Sequence, residues 1–212
     1  MSDPVLHDYW RSSAAYRVRI GLNLLGLSYR SQAVDLLAGD QRAAENIARN
    51  PQGLVPTLEI DGLILTQSLA ILEYLDETRG AGWLPPAPAE RARVRALAYA
   101  VAMDIHPICN LHVVRHAAAL GGTTTEDWMR HFISRGFAGL ERMLEQGRTG
   151  RYSVGEAITI ADICLVPQVY NARRWGVDLA PFVHILSIES ALAEVPAFAA
   201  AHPEAVRPVA SP

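Results

Sequence analysis

Within the first 80 residues the spacing of apolar positions switches between a strand period and a helix period. Val5 to Tyr9 is a short apolar-rich run and predicts a strand. Tyr16 to Leu25 places Val18, Ile20, Leu22, Leu24 and Leu25 among Arg17, Arg19 and Asn23, which predicts a helix ending at Gly26. Ser28 to Val34 predicts a second strand, and the polar stretch Asp35 to Arg49 has room for a short helix. Thr57 to Ile60 and Leu63 to Thr66 flank Asp61-Gly62, a strong two-residue hairpin signal. Leu69 to Tyr74 then opens a helix. The order β-α-β, a connection, then β-β-α predicts a small unit with a four-stranded mixed sheet.

A cluster of glycine and proline from Gly80 to Pro88 marks a boundary. Beyond it only helical patterns follow. Ala89 to Leu120 is a long one interrupted by Pro107, Glu126 to Leu144 a second, Thr159 to Trp175 a third and Ile185 to Glu194 a fourth. Thr159 with Asp162 has the spacing of an N-terminal capping box. The tail, rich in Ala and Pro, is expected to be poorly ordered. The predicted class is therefore α+β, with residues 1–80 carrying the mixed sheet and residues 89–212 all-helical.

Composition narrows the chemistry. The chain has 212 residues, of which 50% are hydrophobic and 19% charged, enough for a sizeable core. All 19 basic residues are arginine. The absence of lysine excludes Schiff-base and phosphate-loop chemistry, while arginine suits bidentate recognition of carboxylates. A net charge of -3 offers no overall attraction to nucleic acid or to an anionic membrane. Cys109 and Cys164 lie in apolar stretches and read as reduced core thiols. The Met-Ser-Asp-Pro-Val start lacks the features of a signal peptide, and no apolar run reaches the roughly 18 residues of a membrane span. A cytoplasmic, soluble protein is expected, with no metal site.

Several polar residues have two readings. Taken singly, Ser12, Ser13 and Ser68 are helix caps, Gln52 is an exposed loop residue, and Val55-Pro56 is an ordinary turn leading into a strand. His106 and Asn110 are placed on one helix face, beside a bend at Pro107, and a lone His106 is a capped or solvent-facing histidine. Arg11 and Arg174 are solvated by default.

Taken together, they carry a resemblance. The segment Ser12-Ser13-Ala14-Ala15-Tyr16-Arg17-Val18-Arg19-Ile20 is similar to the fingerprint of zeta-class glutathione transferases. Asn50-Pro51-Gln52-Gly53-Leu54-Val55-Pro56-Thr57-Leu58 resembles the family's cis-proline segment, and Gln67-Ser68 its glutamyl-binding pair. Asp104-Ile105-His106-Pro107-Ile108 and Leu165-Val166-Pro167-Gln168-Val169 extend the likeness into the second half. The nearest functional branch is the maleylpyruvate and maleylacetoacetate isomerases. Ala14 stands where many zeta enzymes have cysteine.

The resemblance implies a thioredoxin-like domain followed by a helical domain, glutathione as cofactor, a small dicarboxylate substrate and a homodimer. It implies that Ser12, supported by Ser13, donates to the thiolate. Depressing a free thiol by two units from about 8.5 requires about 2.7 kcal/mol. A charged hydrogen bond of about 1.5–3 kcal/mol and a helix terminus of up to about 2 kcal/mol cover that. Val55 and Pro56 would meet the cysteinyl part of glutathione, Gln67 and Ser68 its γ-glutamyl carboxylate, and Gln52, His106 and Asn110 would also bind it. Arg11 and Arg174 would bind substrate carboxylates, one from each domain. His112 stands about where some of these isomerases carry another arginine. The implied reaction is glutathione-dependent cis-trans isomerisation of an unsaturated diacid. A transferase that consumes glutathione on electrophiles such as α-halo acids, and a non-catalytic interaction module, remain as alternatives.

Overall fold

The structure, a computed structural model, describes residues 3–208. The chain divides into two compact units. The first comprises the described residues up to Ala81 together with those from Val195, and the second is Gly82–Glu194.

The first unit is built on a four-stranded sheet of order β2-β1-β3-β4. Strand β1 (Val5–Asp8) pairs in parallel with β2 (Arg30–Ala33) and antiparallel with β3 (Thr57–Ile60), which pairs antiparallel with β4 (Leu63–Thr66). The hairpin turns at Asp61 and Gly62, both at positive φ, as the Asp-Gly signal requires. Helix α1 (Ser13–Leu24) stops at Gly26, whose φ of 62° suits the left-handed position that ends a helix. Between the sheet's parallel and antiparallel halves lie a short 3-10 turn (Asp40–Arg42) and helix α2 (Ala44–Arg49). Helix α3 (Ser68–Arg79) ends at Gly80.

Two corrections concern the ends of the predicted elements. The described part of the C-terminal tail, up to residue 208, belongs to the first unit and not to the helical one, while the expectation for residues 209–212 lies outside the described residues. Residues Pro196–Ala201 form helix α9 in the first unit, with Pro196 in the first turn, where its missing N–H is not needed. Helix α9 packs on α1. Tyr16 Oη donates to the Phe198 carbonyl (3.4 Å), Asn23 Nδ2 to Ala197 (3.2 Å) and Arg19 Nε to Ala201 (3.0 Å). Phe198 and Ala201 are buried. The tail's apolar face thus supplies the tertiary burial that its composition alone did not reveal.

The second correction concerns Ala89 to Leu120, which is not one bent helix. Helix α4 (Pro88–Tyr99) widens into a π-helical stretch (Ala100–Ile105), in which His106 N donates to Val101 O at 2.9 Å, one residue further back than an α-helix allows. Pro107 has no N–H to continue the ladder. The chain turns through residues 106–110 and restarts as α5 (Leu111–Ala119). The second unit is completed by α6 (Thr125–Glu145), α7 (Ile160–Arg174) and α8 (Val183–Ala193). Its core includes Leu97, Val101, Ile133, Phe137, Ile163, Val169 and Ile185, all buried. The capping box is formed: Asp162 accepts from Thr159 N and Thr159 Oγ1, both at 2.8 Å. Its other oxygen accepts from Ser153 N at 2.8 Å. No helix among the described residues is long and apolar enough to cross a membrane.

Candidate active site

The connection from β1 to α1 carries the first group of residues. Ser12 N donates to Tyr9 O at 2.8 Å, closing a tight turn before the helix. Ser12 is the N-cap of α1, and its Oγ accepts from Ala15 N at 3.2 Å. The capping and thiolate readings of this serine are compatible. Capping uses a lone pair of the hydroxyl and leaves its one proton for another acceptor. That proton sits at the start of a helix, where free N–H groups and the dipole favour an anion. Ser13 is the first residue of the helix and is buried. Arg11 is half-buried, donates to Tyr9 Oη at 3.2 Å and lies 4.5 Å from the Trp10 ring. Aromatic stacking of this kind holds a guanidinium in place while leaving its edge available.

The second group surrounds the loop before β3 and the start of α3. The Val55–Pro56 bond is cis. Gln67, exposed, precedes α3 with φ 67° and ψ 112°, an unusual backbone for a residue with a side chain. Its Nε2 donates to Gln52 Oε1 at 2.7 Å, so the two predicted glutamines meet. Ser68 begins α3 and is buried. All of these residues belong to the first unit.

The remaining candidates lie in the second unit. His106 ends the π-helical stretch and is half-buried. Asn110 is the N-cap of α5, so the pair does not share one regular helix face; the turn around Pro107 separates them. Arg174 is in the last turn of α7, exposed, 4.9 Å from the Trp175 ring. His112 is exposed on α5. A groove of about 360 Å³ in this unit is walled by Ile105, Ile108, Phe132 and Met143 and contains none of the predicted site residues.

The protein's own thiols are unsuited to nucleophilic roles. Burial pushes the Cys109 thiol up to about 12, and Cys164 is buried in α7. No cluster of three or more metal-ligating side chains occurs among the described residues.

Residues 6–84 match the model for the glutathione S-transferase N-terminal domain. The maleylacetoacetate isomerase of Rhizobium meliloti (strain 1021) is 58% identical, over 98% of this chain and 99% of the relative. The holo structure of a maleylpyruvate isomerase, a bacterial zeta-class glutathione S-transferase, superposes with a TM-score of 0.93 at 40% identity, covering 97% of this chain and 100% of that one. This chain is a zeta-class glutathione S-transferase. A further neighbour is the maleylacetoacetate isomerase of Anaeromyxobacter dehalogenans 2CP-1 with glutathione bound in its active site, at 46% identity, a TM-score of 0.87 and 97% coverage of each chain.

The residues fit the cofactor of the zeta class. Glutathione brings a thiol and a γ-glutamyl carboxylate, and the first unit holds one capping serine and one buried serine, each at a helix start. Three residues that organise this region were not singled out by sequence. Arg17 and Arg19 read as polar interruptions of an apolar helix, yet each is 1% exposed, because α1 is covered by α3 and α9 at once. Arg19 Nη1 donates to Asp8 Oδ2 at 2.6 Å and its Nη2 to Trp10 O at 2.9 Å, which anchors the strand end and the loop that bears Ser12. Asn50 donates to Leu54 O (3.0 Å) and accepts from Gln52 N (3.1 Å), bracing the loop before Pro56. Gly53 in that loop has φ 62°, and a Cβ there would lie 3.3 Å from Gln41 O. The signal for Asn50 was its place before Pro51-Gln52-Gly53, a turn that asparagine side chains commonly brace.

Proposed function

We propose that the protein is a glutathione-dependent cis-trans isomerase of a small unsaturated dicarboxylic keto acid, maleylacetoacetate or maleylpyruvate. The observation that carries this reading is Ser12: its hydroxyl caps α1 through Ala15 N and retains a proton for an anion at the helix start. The near-complete coverage of the Rhizobium meliloti isomerase supports the same reading.

When bound, glutathione supplies a thiolate that adds reversibly to the cis-alkene, allows rotation about the resulting single bond and leaves again. The chain's residues do the rest. Ser12, with Ser13 beside it and the N-terminus of α1 behind, holds the sulfur as an anion. The Val55 backbone before Pro56 aligns the cysteinyl part in the manner of an added strand. Gln67 and Ser68 hold the γ-glutamyl carboxylate, with Gln52, His106 and Asn110 contributing further contacts. Arg11 and Arg174 bind the substrate carboxylates and stabilise the negative charge that develops beside the alkene. Ala14 is compatible with this chemistry, because the attacking sulfur belongs to glutathione and not to the protein. The protein acts as a cytoplasmic homodimer in this reading; Leu63 and Ile64, exposed on edge strand β4, favour a protein–protein contact there.

The test compares Arg11→Ala and Arg174→Ala on maleylpyruvate and on an uncharged haloaromatic electrophile. Each loss of a charged hydrogen bond lowers kcat/KM for the diacid about 10–150-fold and leaves the haloaromatic rate nearly unchanged. Equal losses on both substrates, or none on either, remove the arginines from substrate recognition.

A further inference from the structure

Resting on the glutathione reading above, we propose that Arg17 is a positioning residue for the γ-glutamyl carboxylate of glutathione, acting through Ser68. Arg17 lies on α1, is 1% exposed, and its Nη1 donates to Ser68 Oγ at 3.3 Å. Ser68 is the first residue of α3, the helix that packs on α1. A guanidinium has only donors, whereas a hydroxyl has one proton and two lone pairs. The contact therefore sets the role of Ser68: its oxygen accepts from Arg17, and its proton is committed to an acceptor elsewhere. A carboxylate at the start of α3 is such an acceptor, favoured also by the free N–H groups of the first turn.

The same arrangement occurs at Ser12, whose oxygen accepts from Ala15 N. Both serines are thus turned into donors by a protein N–H behind them. At Ser12 the N–H is a neutral amide; at Ser68 it belongs to a buried cation. A charge-assisted hydrogen bond polarises the hydroxyl, which strengthens the bond it makes in turn. The cation also raises the potential at the start of α3, where burial screens it little.

The residue next to Ser68 supports a ligand-directed role. Gln67 holds a positive φ that costs a residue with a side chain on the order of 1–3 kcal/mol, a cost found where ligands are clamped. Arg19 is equally buried two residues along the same helix, and its donors go to Asp8, Trp10 O and Ala201 O, all scaffold groups. Nη1 of Arg17 reaches a hydroxyl that is itself placed to donate.

The experiment is calorimetric titration with glutathione and with its analogue in which the γ-glutamyl α-carboxylate is an amide. Wild type, Arg17→Gln, Arg17→Lys, Ser68→Ala and the double variant Arg17→Gln/Ser68→Ala are compared, each checked for a cooperative thermal transition. Arg17→Gln is expected to weaken glutathione about tenfold or more and to leave the amide within about threefold, so the preference for the carboxylate collapses. Arg17→Lys, which keeps the charge without the planar fork, is expected to lose about half of that preference on a logarithmic scale. In the Ser68→Ala background Arg17→Gln is expected to add almost nothing. Equal weakening of both ligands by Arg17→Gln, or additive effects in the double variant, overturns the proposal and makes Arg17 a packing residue. If the glutamine variants do not fold, Arg17→Lys decides: an unchanged preference for the carboxylate overturns the proposal. Ser68→Ala leaving glutathione affinity unchanged is a different failure, that of the glutathione-site reading itself.

Discussion

In the first unit the buried polar groups include His7, Asp8, Arg17, Arg19, Asn50 and Ser68; in the second they are Ser153, Thr159, Asp162 and Gln168 among the described residues. Several of the first set hold non-helical backbone in place. Arg19 ties Asp8, Trp10 O and Ala201 O together, Asn50 braces the loop before Pro56, and His7 Nε2 pairs with Glu59 Oε1 at 2.7 Å across neighbouring strands. Three of the second set serve one helix end, where Asp162 joins Thr159 and Ser153. A small sheet unit that must present two serines and a proline loop to a ligand spends buried charge on loop geometry. A helical unit satisfies its own backbone and needs buried polar groups chiefly at helix ends.

The sharpest way to break this contrast is to remove one partner of the Arg19–Asp8 pair, whose side chains are 1% and 4% exposed. Asp8→Asn leaves a buried cation with a weaker partner and is expected to lower stability by about 3–5 kcal/mol in denaturant unfolding. The double variant Asp8→Leu/Arg19→Met is expected to recover most of that loss but not the glutathione affinity, because the Trp10 carbonyl loses its anchor. Recovery of both would show that the pair does not organise the loop.

In the second unit the corresponding test is Asp162→Ala. It frees Thr159 N and Ser153 N in a buried setting and is expected to cost about 2–3 kcal/mol, again by denaturant unfolding. Glutathione binding should persist in whatever fraction stays folded. A specific loss of affinity at full folding would mean that this helix end also serves the ligand.

Ser12 stands between the two kinds of role, and substitutions separate them. Ser12→Ala is expected to cost about 1 kcal/mol of stability as a lost cap and to lower kcat/KM about 10–150-fold as a lost donor to the thiolate. Ser12→Asp restores the cap, since aspartate is an equally good capping residue, but sets a negative charge beside the sulfur. Its stability should match wild type while its rate falls further than that of the alanine variant. Equal rates for the two variants would leave Ser12 as a cap alone.

The smallest effect is alkaline. Burial holds the Cys109 thiol at about 12 in the folded chain, above its ordinary value of 9.0. Above pH 9 the unfolded state releases this proton while the folded state keeps it, so stability falls as pH rises through that window. At pH 10 the expected loss is about 1.4 kcal/mol, and Cys109→Ala should show a shallower decline between pH 8 and 10 in the same unfolding measurement.

Much of this was legible in the sequence, for physical reasons that differ by element. Strands β3 and β4 were readable to the residue, because Asp61-Gly62 sets a tight hairpin and hence the register. The capping box of α7 was readable because it is local. Helix α9 was not, since its stability comes from docking onto α1 and not from its own composition. The π-helical stretch was hidden as well: Pro107 announced a break but not that the preceding turn would widen. At the candidate site, Ser12, Gln67 and Ser68 were legible as motif members. The burial of Arg17 and Arg19 behind them was not, because a charged residue between apolar ones reads as a solvent-facing position until a third element is known to cover it.

An isomerase returns its glutathione, so the fate of glutathione through the reaction is decisive. Maleylacetoacetate or maleylpyruvate in large excess is mixed with purified protein and a small, known amount of glutathione, and the loss of cis substrate is recorded beside the total free thiol. Isomerisation predicts many turnovers per glutathione, with the thiol titre unchanged at the end and no reaction when glutathione is omitted. Thiol lost one for one with substrate, or equal rates without glutathione, would contradict it.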